Sequence, residues 1–416
     1  MPSPPLICLI TPGHVASTPR LVKNADALAE AGYRVHVVAA APYPPNAALD
    51  ADLLARAAWI YTSLGSPTFA RRVVRKLSHV AARRVVLLRP PGLVTWAQRA
   101  QNALGPSLSA AAARVPAQLY IGHCLAGLPA AADAARRSGA HLAFDLEDYH
   151  DAETFEAIGS PVERSVRRTL QAALLPRCRA LFASSPLIAN KYTESYGVKP
   201  QTLLNVFPLS HAPHAPLRAE PPSEGRPAIF YWFSQTIGPG RGIERVIEIA
   251  GRMRTPVELQ FRGYLFPGYA DRLQTLAQRS GLRRRIAFLE PGPPSEMARL
   301  ASHADLGLSI EESEPLNRDL CLTNKVFTYL TAGIPQLLSE TAAQRSLAPA
   351  LGDAALLADV ARTESTASLL DLFFADTPRV QRGRDAAWSL ARSRFCWEVE
   401  KKILLDAVQS MVPLAP

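Results

Sequence analysis

The chain has 416 residues, of which 48% are apolar and 20% are charged, and its formal net charge is +10. One hydrophobic core rarely supports this length, so we expect two globular domains of about 200 residues each, not a disordered or fibrous protein. The five cysteines are scattered and show no CxxC spacing, which indicates a reducing compartment and no cysteine metal site.

The amino-terminal stretch carries no basic segment, and its apolar run stops within a few residues at Thr11-Pro12-Gly13. This pattern predicts a first β-strand and not a signal peptide. No window reaches the roughly 18 apolar residues that a membrane-spanning helix needs. We therefore expect a cytoplasmic protein, or one attached peripherally to the inner face of the cell membrane.

The first half alternates predicted strands with predicted helices. Apolar runs at 6–11 and 34–40 flank a helical pattern at 18–31, which makes one βαβ unit. The order continues with strand 118–121, helix 125–137, strand 142–146, helix 162–174, strand 180–183, helix 186–196 and strand 202–206. Alternation of this kind predicts a parallel sheet covered on both faces.

A basic segment lies within this half, because no acidic residue occurs from Leu53 to Ala132. In residues 71–84 the cations are Arg71, Arg72, Arg75, Lys76, Arg83 and Arg84, and the apolar side comprises Val73, Val74, Leu77 and Val80. The spacing predicts an amphipathic basic helix, either docked on an anionic membrane surface or packed on its own sheet. Nucleic acid is not an expected partner, since no nucleic-acid module accompanies the charge.

Prolines accumulate between Pro208 and Pro227, which predicts an extended connector between two domains. The predicted division is a first domain over 1–207, a linker over 208–227, a second domain over 228–378 and helices over 379–416 that cross back to the first domain. The second domain repeats the alternation as strand 228–233, helix 242–253, strand 257–262, helix 269–279, strand 285–289, helix 294–302, strand 305–310, helix 324–332 and strand 335–338.

Two segments of the second half each follow a predicted strand, lead into a helical pattern and carry a cation. Ser234–Gly242 contains Gly238-Pro-Gly-Arg-Gly, and Thr323–Pro335 contains Asn324-Lys325 at the start of a helical pattern. Both would bring backbone amides to the carboxyl edge of a sheet, where open α/β sheets bind anionic ligands. Taken separately, each segment also fits a structural turn or a capped surface helix.

Segment 234–242 resembles the G-x-L-x-x-x-K-G donor loop of family 4 glycosyltransferases, and segment 324–335 resembles their P-x-K-x-F-E-Y-x-x-A-G-x-P helix. Residues 18–32, 205–208, 304–309 and 395–397 match the same superfamily. The resemblance implies an α/β protein with the GT-B fold, in which two Rossmann-like domains with parallel sheets face an interdomain cleft. It also implies retaining, metal-independent transfer from a nucleotide-sugar, with no cofactor.

The resemblance implies roles for individual residues. Arg241 matches a pyrophosphate-binding lysine, Lys325 matches a basic residue near the donor phosphates, and His123 matches a histidine near the transferred sugar. These three are the expected catalytic residues. The expected donor-binding residues are Thr236, Gly238, Gly240, Gly242, Glu311, Glu312, Asn324 and Thr328. Gly13 and His14, on the loop after the first strand, are expected on the acceptor side.

The sequence departs from the family at its Glu-x7-Glu pair, which would fall at Leu320 and Thr328. A threonine offers the ribose of a nucleotide only a neutral hydrogen bond. Glu311 or Glu312 can supply a replacement carboxylate, and a solvated acidic loop is the alternative for both. The nucleotide and the sugar therefore stay open.

Five carboxylates crowd the segment Asp145–Glu153 after a predicted strand of the first domain. We expect an acceptor-side role for Glu147, Asp148 or Glu153, because carboxylates can bind or deprotonate a hydroxyl. The alternative is an exposed loop that caps the following helix. No metal is expected there.

The sequence predicts a glycosyltransferase that acts on a glycan or a lipid-linked acceptor, as in the assembly of envelope polysaccharide or glycolipid. Two alternatives remain open. One is a catalytically silent, glycosyltransferase-like binding subunit, motivated by the lost acidic pair. The other is a nucleotide-sugar epimerase of the same architecture.

Overall fold

The computed structural model describes residues 3–41, 47–65, 68–153 and 160–414. The chain divides into two compact units. The first unit comprises the residues up to Leu203 together with those from Lys401 onward, and the second unit is Leu204–Glu400. Each unit has its own sheet.

The first unit contains a parallel sheet in the order β3-β2-β1-β4-β5-β6-β7. Its strands are β1 (Leu6–Thr11), β2 (Arg34–Ala39), β3 (Ile60–Ser63), β4 (Leu119–His123), β5 (His141–Leu146), β6 (Ala180–Ala183) and β7 (Gln201–Thr202). Every residue of the central strand β1 is buried. A parallel strand covered on both faces needs such a continuous apolar run, which is why β1 was legible in the sequence.

The helices of the first unit are α1 (Pro19–Glu30), α2 (Ala47–Leu54), α3 (Phe69–Val85), α4 (Leu93–Gln101), α5 (Gly105–Ala112), α6 (Cys124–Ser138), α7 (Pro161–Leu174) and α8 (Pro186–Tyr196). Helix α6 packs very closely on the sheet. A Cβ atom at Gly127 would stand 2.9 Å from the Ile10 carbonyl oxygen, so only glycine permits this approach. The start of α6 is thereby held against β1 and β4.

The second unit contains a parallel sheet in the order β10-β9-β8-β11-β12-β13. Its strands are β8 (Ala228–Ile237), β9 (Val257–Leu265), β10 (Ala287–Leu289), β11 (Leu306–Ser309), β12 (Gln336–Ser339) and β13 (Ala355–Ala358). Its core packs Val246 and Ile247 among buried sheet residues that include Phe230, Leu259 and Leu308.

The remaining helices are α9 (Ile243–Arg252), α10 (Tyr269–Arg279), α11 (Met297–Ala301), α12 (Leu316–Leu320), α13 (Asn324–Ala332), α14 (Ala342–Leu351), α15 (Thr363–Ala375), α16 (Thr377–Ser393) and α17 (Trp397–Met411). Arg384 of α16 is buried and donates to the Asp305 carboxylate at 3.0 Å and to the Ala304 carbonyl at 2.9 Å. This charged hydrogen bond fixes α16 beside the start of β11.

Several predicted boundaries were wrong. The strand predicted at 202–206 is only Gln201–Thr202, and the helix predicted at 294–302 is a short 3-10 turn followed by α11. Strand β8 continues four residues beyond Phe233, to Ile237, across a register shift in its pairing with β9. The bulge at this register shift interrupts the apolar pattern, so the end of the strand was predicted too early.

The carboxyl-terminal helices predicted over 379–416 are α16 and α17. Between these helices, the backbone of Cys396 pairs with that of Phe207 as an isolated parallel β-bridge. The Trp397 amide donates to the Phe207 carbonyl at 3.0 Å. Within the first unit, the Tyr33 hydroxyl lies 2.8 Å from Gln409 Oε1 and 2.9 Å from the Val412 carbonyl oxygen. The end of the chain therefore packs beside the turn that precedes β2.

The proline-rich segment 208–227 packs on the second unit. The Ala219 amide donates to Gln381 Oε1 at 2.9 Å, and Arg299 donates to the Ser210 carbonyl at 2.6 Å. These contacts fit a division of the units at Leu203, five residues before the predicted linker.

Candidate active site

The glycine-rich turn of the second unit connects β8 to α9. Gly242 has a φ of 72°, and a Cβ atom there would lie 2.7 Å from Ile310 Cγ2, so the turn requires glycine. Arg318 Nη1 donates to the Gly240 carbonyl at 2.8 Å. The turn is thus tied to the segment that follows β11.

Arg241 stands two residues before Ile243, the first residue of α9. Its side chain is half-buried, and within the described part of the chain it makes no ion pair or hydrogen bond. The amino-terminal end of a helix favours anions because its first amides have no partner within the helix. An uncommitted guanidinium beside such an end can bind an anionic group in two-pronged fashion.

Lys325, on α13, is not an uncommitted cation. Its Nζ lies 2.6 Å from Glu311 Oε1, and both side chains are buried. The same ammonium lies 5.6 Å from the ring centre of Trp232. The Glu311 amide donates to Ser339 Oγ at 2.9 Å, which anchors the carboxylate from the main chain. The interpretation of Glu311 as part of a solvated acidic loop is therefore wrong.

The other expected donor residues differ in their surroundings. Glu312 is exposed and lies 3.8 Å from Arg318. Thr328 is buried, and its Oγ1 has no hydrogen-bond partner among the described residues. Asn324 is half-buried as the first residue of α13. Thr236 was expected on a loop but lies in β8, paired with Tyr264 of β9.

The two motifs of the second half meet at one sheet edge. Gly242 touches Ile310, which directly precedes Glu311, and Glu311 binds Lys325. The strands β8 and β11 are adjacent, and the glycine-rich turn and the Lys325 helix come after their carboxyl ends. This is the edge at which open α/β sheets bind ligands.

A buried charged cluster occupies the carboxyl edge of the first sheet. Arg20 Nε lies 2.9 and 2.7 Å from the two carboxylate oxygens of Asp145. His123 Nδ1 lies 3.3 Å from Asp145 Oδ2. Burial acts to raise the pKa of Asp145, but Arg20 and His123 together lower it to about 2. The carboxyl group is therefore an anion at neutral pH.

Glu147 and Asp148 follow β5 and are half-buried. The pKa of Glu147 is raised to about 7, mainly because burial removes the carboxylate from water. The charge of Arg20 acts to lower this pKa, and the charge of Asp148 acts to raise it. The Glu147 side chain thus exchanges its proton near neutral pH. The Asp148 carbonyl accepts a hydrogen bond from the Tyr192 hydroxyl at 3.0 Å, which fixes the backbone of this loop.

Glu153 is bound by other residues of the first unit. Its carboxylate pairs with His150 Nδ1 and lies 3.3 Å from Arg167 Nη2. Although burial acts to raise the pKa of Glu153, the hydrogen bond from His150 lowers it. These bonds stabilise the turn after β5, so the expected acceptor-side role of Glu153 has no direct geometric support.

His14 is buried and not a solvated loop residue. Its Nδ1 lies 2.6 Å from Asp50 Oδ2, and the other oxygen of Asp50 accepts from the Ala16 amide at 2.9 Å. Neighbouring Gly13 donates its amide to Thr11 Oγ1 at 3.2 Å. Asp50 therefore organises the loop after β1, a role that sequence reasoning did not assign to it.

Sequence reasoning also missed the contacts that Arg20, Asp145 and Trp232 make around the predicted residues. Asp145 was noted only as one member of an acidic cluster. Its place opposite His123 follows from the parallel register of β4 and β5, in which these two residues are partners. Arg20 lies 125 residues earlier in the chain, so no local signal connects it with Asp145.

The basic helix α3 has its apolar side outward. Fractional exposure is 79% for Phe69, 40% for Val73, 65% for Leu77 and 43% for Val80. The interpretation of α3 as a helix packed on its own sheet through this apolar side is therefore wrong. We call this outward row of four residues the apolar stripe.

The side of α3 that packs on the protein is partly polar. Arg75 donates to Ser107 Oγ at 2.8 Å, and His79 Nδ1 lies 2.8 Å from the Arg99 carbonyl oxygen. Arg83 lies 3.3 Å from Glu163. Arg75 and Arg83 therefore bind neighbouring residues instead of lying on one exposed basic face. Arg72, Lys76 and Arg84 are exposed. The Arg71 side chain lies outside the described residues.

Neither a metal-binding cluster nor a membrane-spanning helix occurs in the ranges that the structure describes. Within 3–41, 47–65, 68–153 and 160–414, no three His, Cys, Asp or Glu side chains are grouped so that they could hold a metal ion. None of the helices in those ranges has the length and apolar content to cross a bilayer.

The sequence matches no protein-family profile and no curated protein. Solved structures, in contrast, match the fold over nearly the whole chain, and they are GT-B glycosyltransferases. The chain therefore has the GT-B fold, and the predicted fold of two Rossmann-like domains is confirmed.

Three similar structures illustrate the match. Alr3699/HepE of Anabaena in complex with UDP has a TM-score of 0.68 and 14% identity, over 98% of this chain and 100% of that one. A glycosyltransferase from Rickettsia africae has a TM-score of 0.70 and 11% identity, over 99% of both chains. WaaG, a glycosyltransferase involved in lipopolysaccharide biosynthesis, has a TM-score of 0.58 and 15% identity, over 97% and 98%.

Proposed function

We propose that the protein transfers a sugar from a nucleotide-sugar donor to the hydroxyl group of an acceptor. The observation that carries this proposal is the meeting of the glycine-rich turn and the Lys325 helix at the carboxyl edge of the second sheet. A similar structure, HepE, is in complex with UDP, which supports a nucleoside diphosphate as the ligand of this edge.

Arg241 and the amides at the start of α9 would bind the diphosphate. Negative charge grows on the diphosphate as the bond to the sugar breaks, so contacts that strengthen at that moment accelerate the reaction. Loss of one such contact typically costs about 3 kcal/mol, or two orders of magnitude in rate. Thr328 Oγ1, buried and without a described partner, would donate to a ribose hydroxyl.

Lys325 has a different role in this proposal from the one that the resemblance implies. Because Glu311 neutralises its charge, Lys325 would act mainly by holding the Glu311 carboxylate in place. That carboxylate is the candidate for the function of the acidic residue that Thr328 replaces. Gly238, Gly240, Gly242, Asn324 and Glu312 complete the expected donor site.

The test of donor binding uses the full-length protein and a panel of nucleoside diphosphates. A ligand at 100 times its Kd adds about 2.7 kcal/mol to stability, which raises the melting temperature. Arg241→Ala should remove most of this shift and lower turnover about 100-fold. Arg252→Ala, in the last turn of the same helix α9, is the matched control and should leave both unchanged.

The outcomes separate three functions. Failure of every nucleotide to raise the melting temperature would remove the proposal and favour a silent binding subunit. A shift accompanied by conversion of a nucleotide-sugar without any acceptor would identify an epimerase. Transfer to an acceptor, read by mass spectrometry, supports the proposal. The anomeric proton of the product tests retention, and activity in a chelator tests metal independence.

For the acceptor we propose a glycan or a lipid-linked intermediate of envelope polysaccharide or glycolipid assembly. Support comes from WaaG, a structural neighbour involved in lipopolysaccharide biosynthesis. His123, Glu147 and Asp148 at the carboxyl edge of the first sheet are the proposed acceptor-side groups, with Gly13 and His14 on the neighbouring loop.

For the place of action we propose the inner face of a cell membrane. The apolar stripe of α3 is exposed, and the exposed Arg72, Lys76 and Arg84 lie on the same helix. An amphipathic helix inserts its apolar side among lipid headgroups, while each flanking cation contributes about 1 kcal/mol on an anionic surface. A lipid-linked acceptor would be met on that surface.

A further inference from the structure

Three residues from different elements form one chain of contacts in the first unit. Arg20 belongs to the first turn of α1, His123 ends β4, and Asp145 lies near the end of β5. The side chains of all three are at most 2% exposed. The Arg20 guanidinium contacts both oxygens of Asp145, and Asp145 in turn contacts His123 Nδ1.

These contacts determine the state of the His123 ring. A carboxylate anion can only accept hydrogen bonds, so the nitrogen facing it must carry the proton. His123 Nδ1 therefore carries a proton, and in the neutral form of the ring Nε2 carries the lone pair. Asp145 cannot turn away from the ring, because Arg20 holds both of its oxygens.

His123 Nε2 is buried and has no hydrogen-bond partner among the described residues. Buried polar atoms in folded proteins are nearly always hydrogen-bonded, and an unsatisfied one costs about 1–3 kcal/mol. The next residue, Cys124, has a φ of 55°, a left-handed conformation that is costly for a side chain other than glycine. Strained backbone and an unsatisfied acceptor occur together at the carboxyl edge of this sheet.

We propose that Asp145 and Arg20 are positioning residues that present His123 Nε2 as a hydrogen-bond acceptor for a hydroxyl group of the bound sugar substrates. This inference rests on the proposed function for the identity of the ligand. The hydroxyl donates to Nε2, no covalent bond changes, and the contact orients the substrate.

The first experiment reads the tautomer without any substrate. Full-length protein with 15N-labelled histidine is studied by long-range proton–nitrogen correlation, at a pH about two units above the usual histidine pKa. The His123 signals are assigned by their loss in His123→Gln. We expect a protonated Nδ1 and an unprotonated Nε2. A proton on Nε2 of the wild-type protein would overturn the proposal.

Asp145→Asn should move the proton to Nε2, since the carboxamide can donate to Nδ1. This variant removes the buried charge that Arg20 contacts and can fail to fold, so Arg20→Met/Asp145→Asn is the second variant. It removes both charges while keeping an amide beside His123. An unchanged His123 tautomer in a folded form of either variant counts against positioning by Asp145. His36→Gln, at a histidine bonded to Thr62, is the control.

The second experiment measures kcat/KM for sugar transfer. His123→Ala and Asp145→Asn should each lower kcat/KM about 10-fold or more, because the substrate hydroxyl loses its acceptor. If Asp145 acts through His123, the His123→Ala/Asp145→Asn double variant should be no slower than His123→Ala alone. Independent, multiplying losses would overturn the proposal. Nucleotide-induced melting shifts read the donor site in the second unit separately, so failure of donor binding is distinguishable from failure here.

Discussion

Glu311 and Lys325 illustrate how a residue can change its role when its partner is known. The two groups are buried and 2.6 Å apart, whereas Lys325 alone was predicted to be a free cation near phosphate. Removing two charges from water costs several kcal/mol, and a close, hydrogen-bonded pair recovers that cost. Removing one of the two groups should therefore destabilise the fold more than removing both.

A double-mutant cycle tests this dependence. Lys325→Met and Glu311→Gln should each lower the free energy of unfolding by about 3–5 kcal/mol, because each leaves one buried charge unpaired. The double variant should be more stable than either single one. Urea denaturation supplies the free energies. Strictly additive losses would show that the two groups are not coupled.

The surface pair of Arg245 and Glu248 provides the matched control for this cycle. Its side chains are 54% and 26% exposed, and the contact is 2.9 Å. Exposed pairs of this kind contribute less than about 1 kcal/mol. Arg245→Met and Glu248→Gln should therefore change stability little, singly or together.

The predictable part of the site consists of residues that local sequence identifies. The strand-turn-helix pattern located Arg241, and the position after the predicted strand 118–121 located His123. Their partners were not predictable in the same way. Asp145 becomes the partner of His123 only through the pairing of β4 with β5, and Asp50 reaches His14 from 36 residues away. Such contacts are set by the fold and not by neighbouring residues.

At the level of elements, α3 shows that an amphipathic pattern predicts a helix but not which side is covered. Helices α10 and α13 were predicted with the bounds that they have, 269–279 and 324–332, because their apolar sides face a sheet. In α3 the hydrogen bonds of Arg75 and His79 hold the polar side against the protein. Only the packing of neighbouring helices could reveal this orientation.

Binding of α3 to lipid is tested with two exposed leucines. Leu77 lies in the apolar stripe at 65% exposure, and Leu372 lies on α15 at 68% exposure. Leu77→Asp should reduce sedimentation with anionic vesicles at least 10-fold, because it buries a charge in the headgroup region and opposes the lipid charge. Leu372→Asp, the matched control, should bind like the wild type.

Neutral vesicles and high salt complete this test. Electrostatic attraction weakens with ionic strength, so binding to anionic vesicles should fall as salt rises. Equal sedimentation of Leu77→Asp and wild-type protein would reject α3 as the docking surface.

For the molecule as a whole, the end of the chain is part of the first unit. The Tyr33 hydroxyl contacts Gln409 and Val412, Lys401 lies 2.9 Å from Glu30, and Leu414 lies beside Gly32. Leu404 and Val408 are fully buried. Burying two such side chains contributes about 1.5–3 kcal/mol each.

Removal of residues 401–416 should therefore destabilise the first unit more than the second. Differential scanning calorimetry is expected to show a lowered first-unit transition, while the nucleotide-dependent shift of the second unit persists. Tyr33→Phe, which removes only the hydroxyl contacts, should cost about 1 kcal/mol. An unaltered thermogram after truncation would contradict the assignment of this segment to the first unit.

The same arrangement constrains how the protein can be built on the ribosome. Synthesis delivers the seven strands of the first sheet early, but the helix that buries Leu404 and Val408 emerges only after the strands of the second sheet. The first unit is thus completed only after the second sheet has been made. Until the final turn of α17 leaves the exit tunnel, the apolar surface that it covers is open to chaperones.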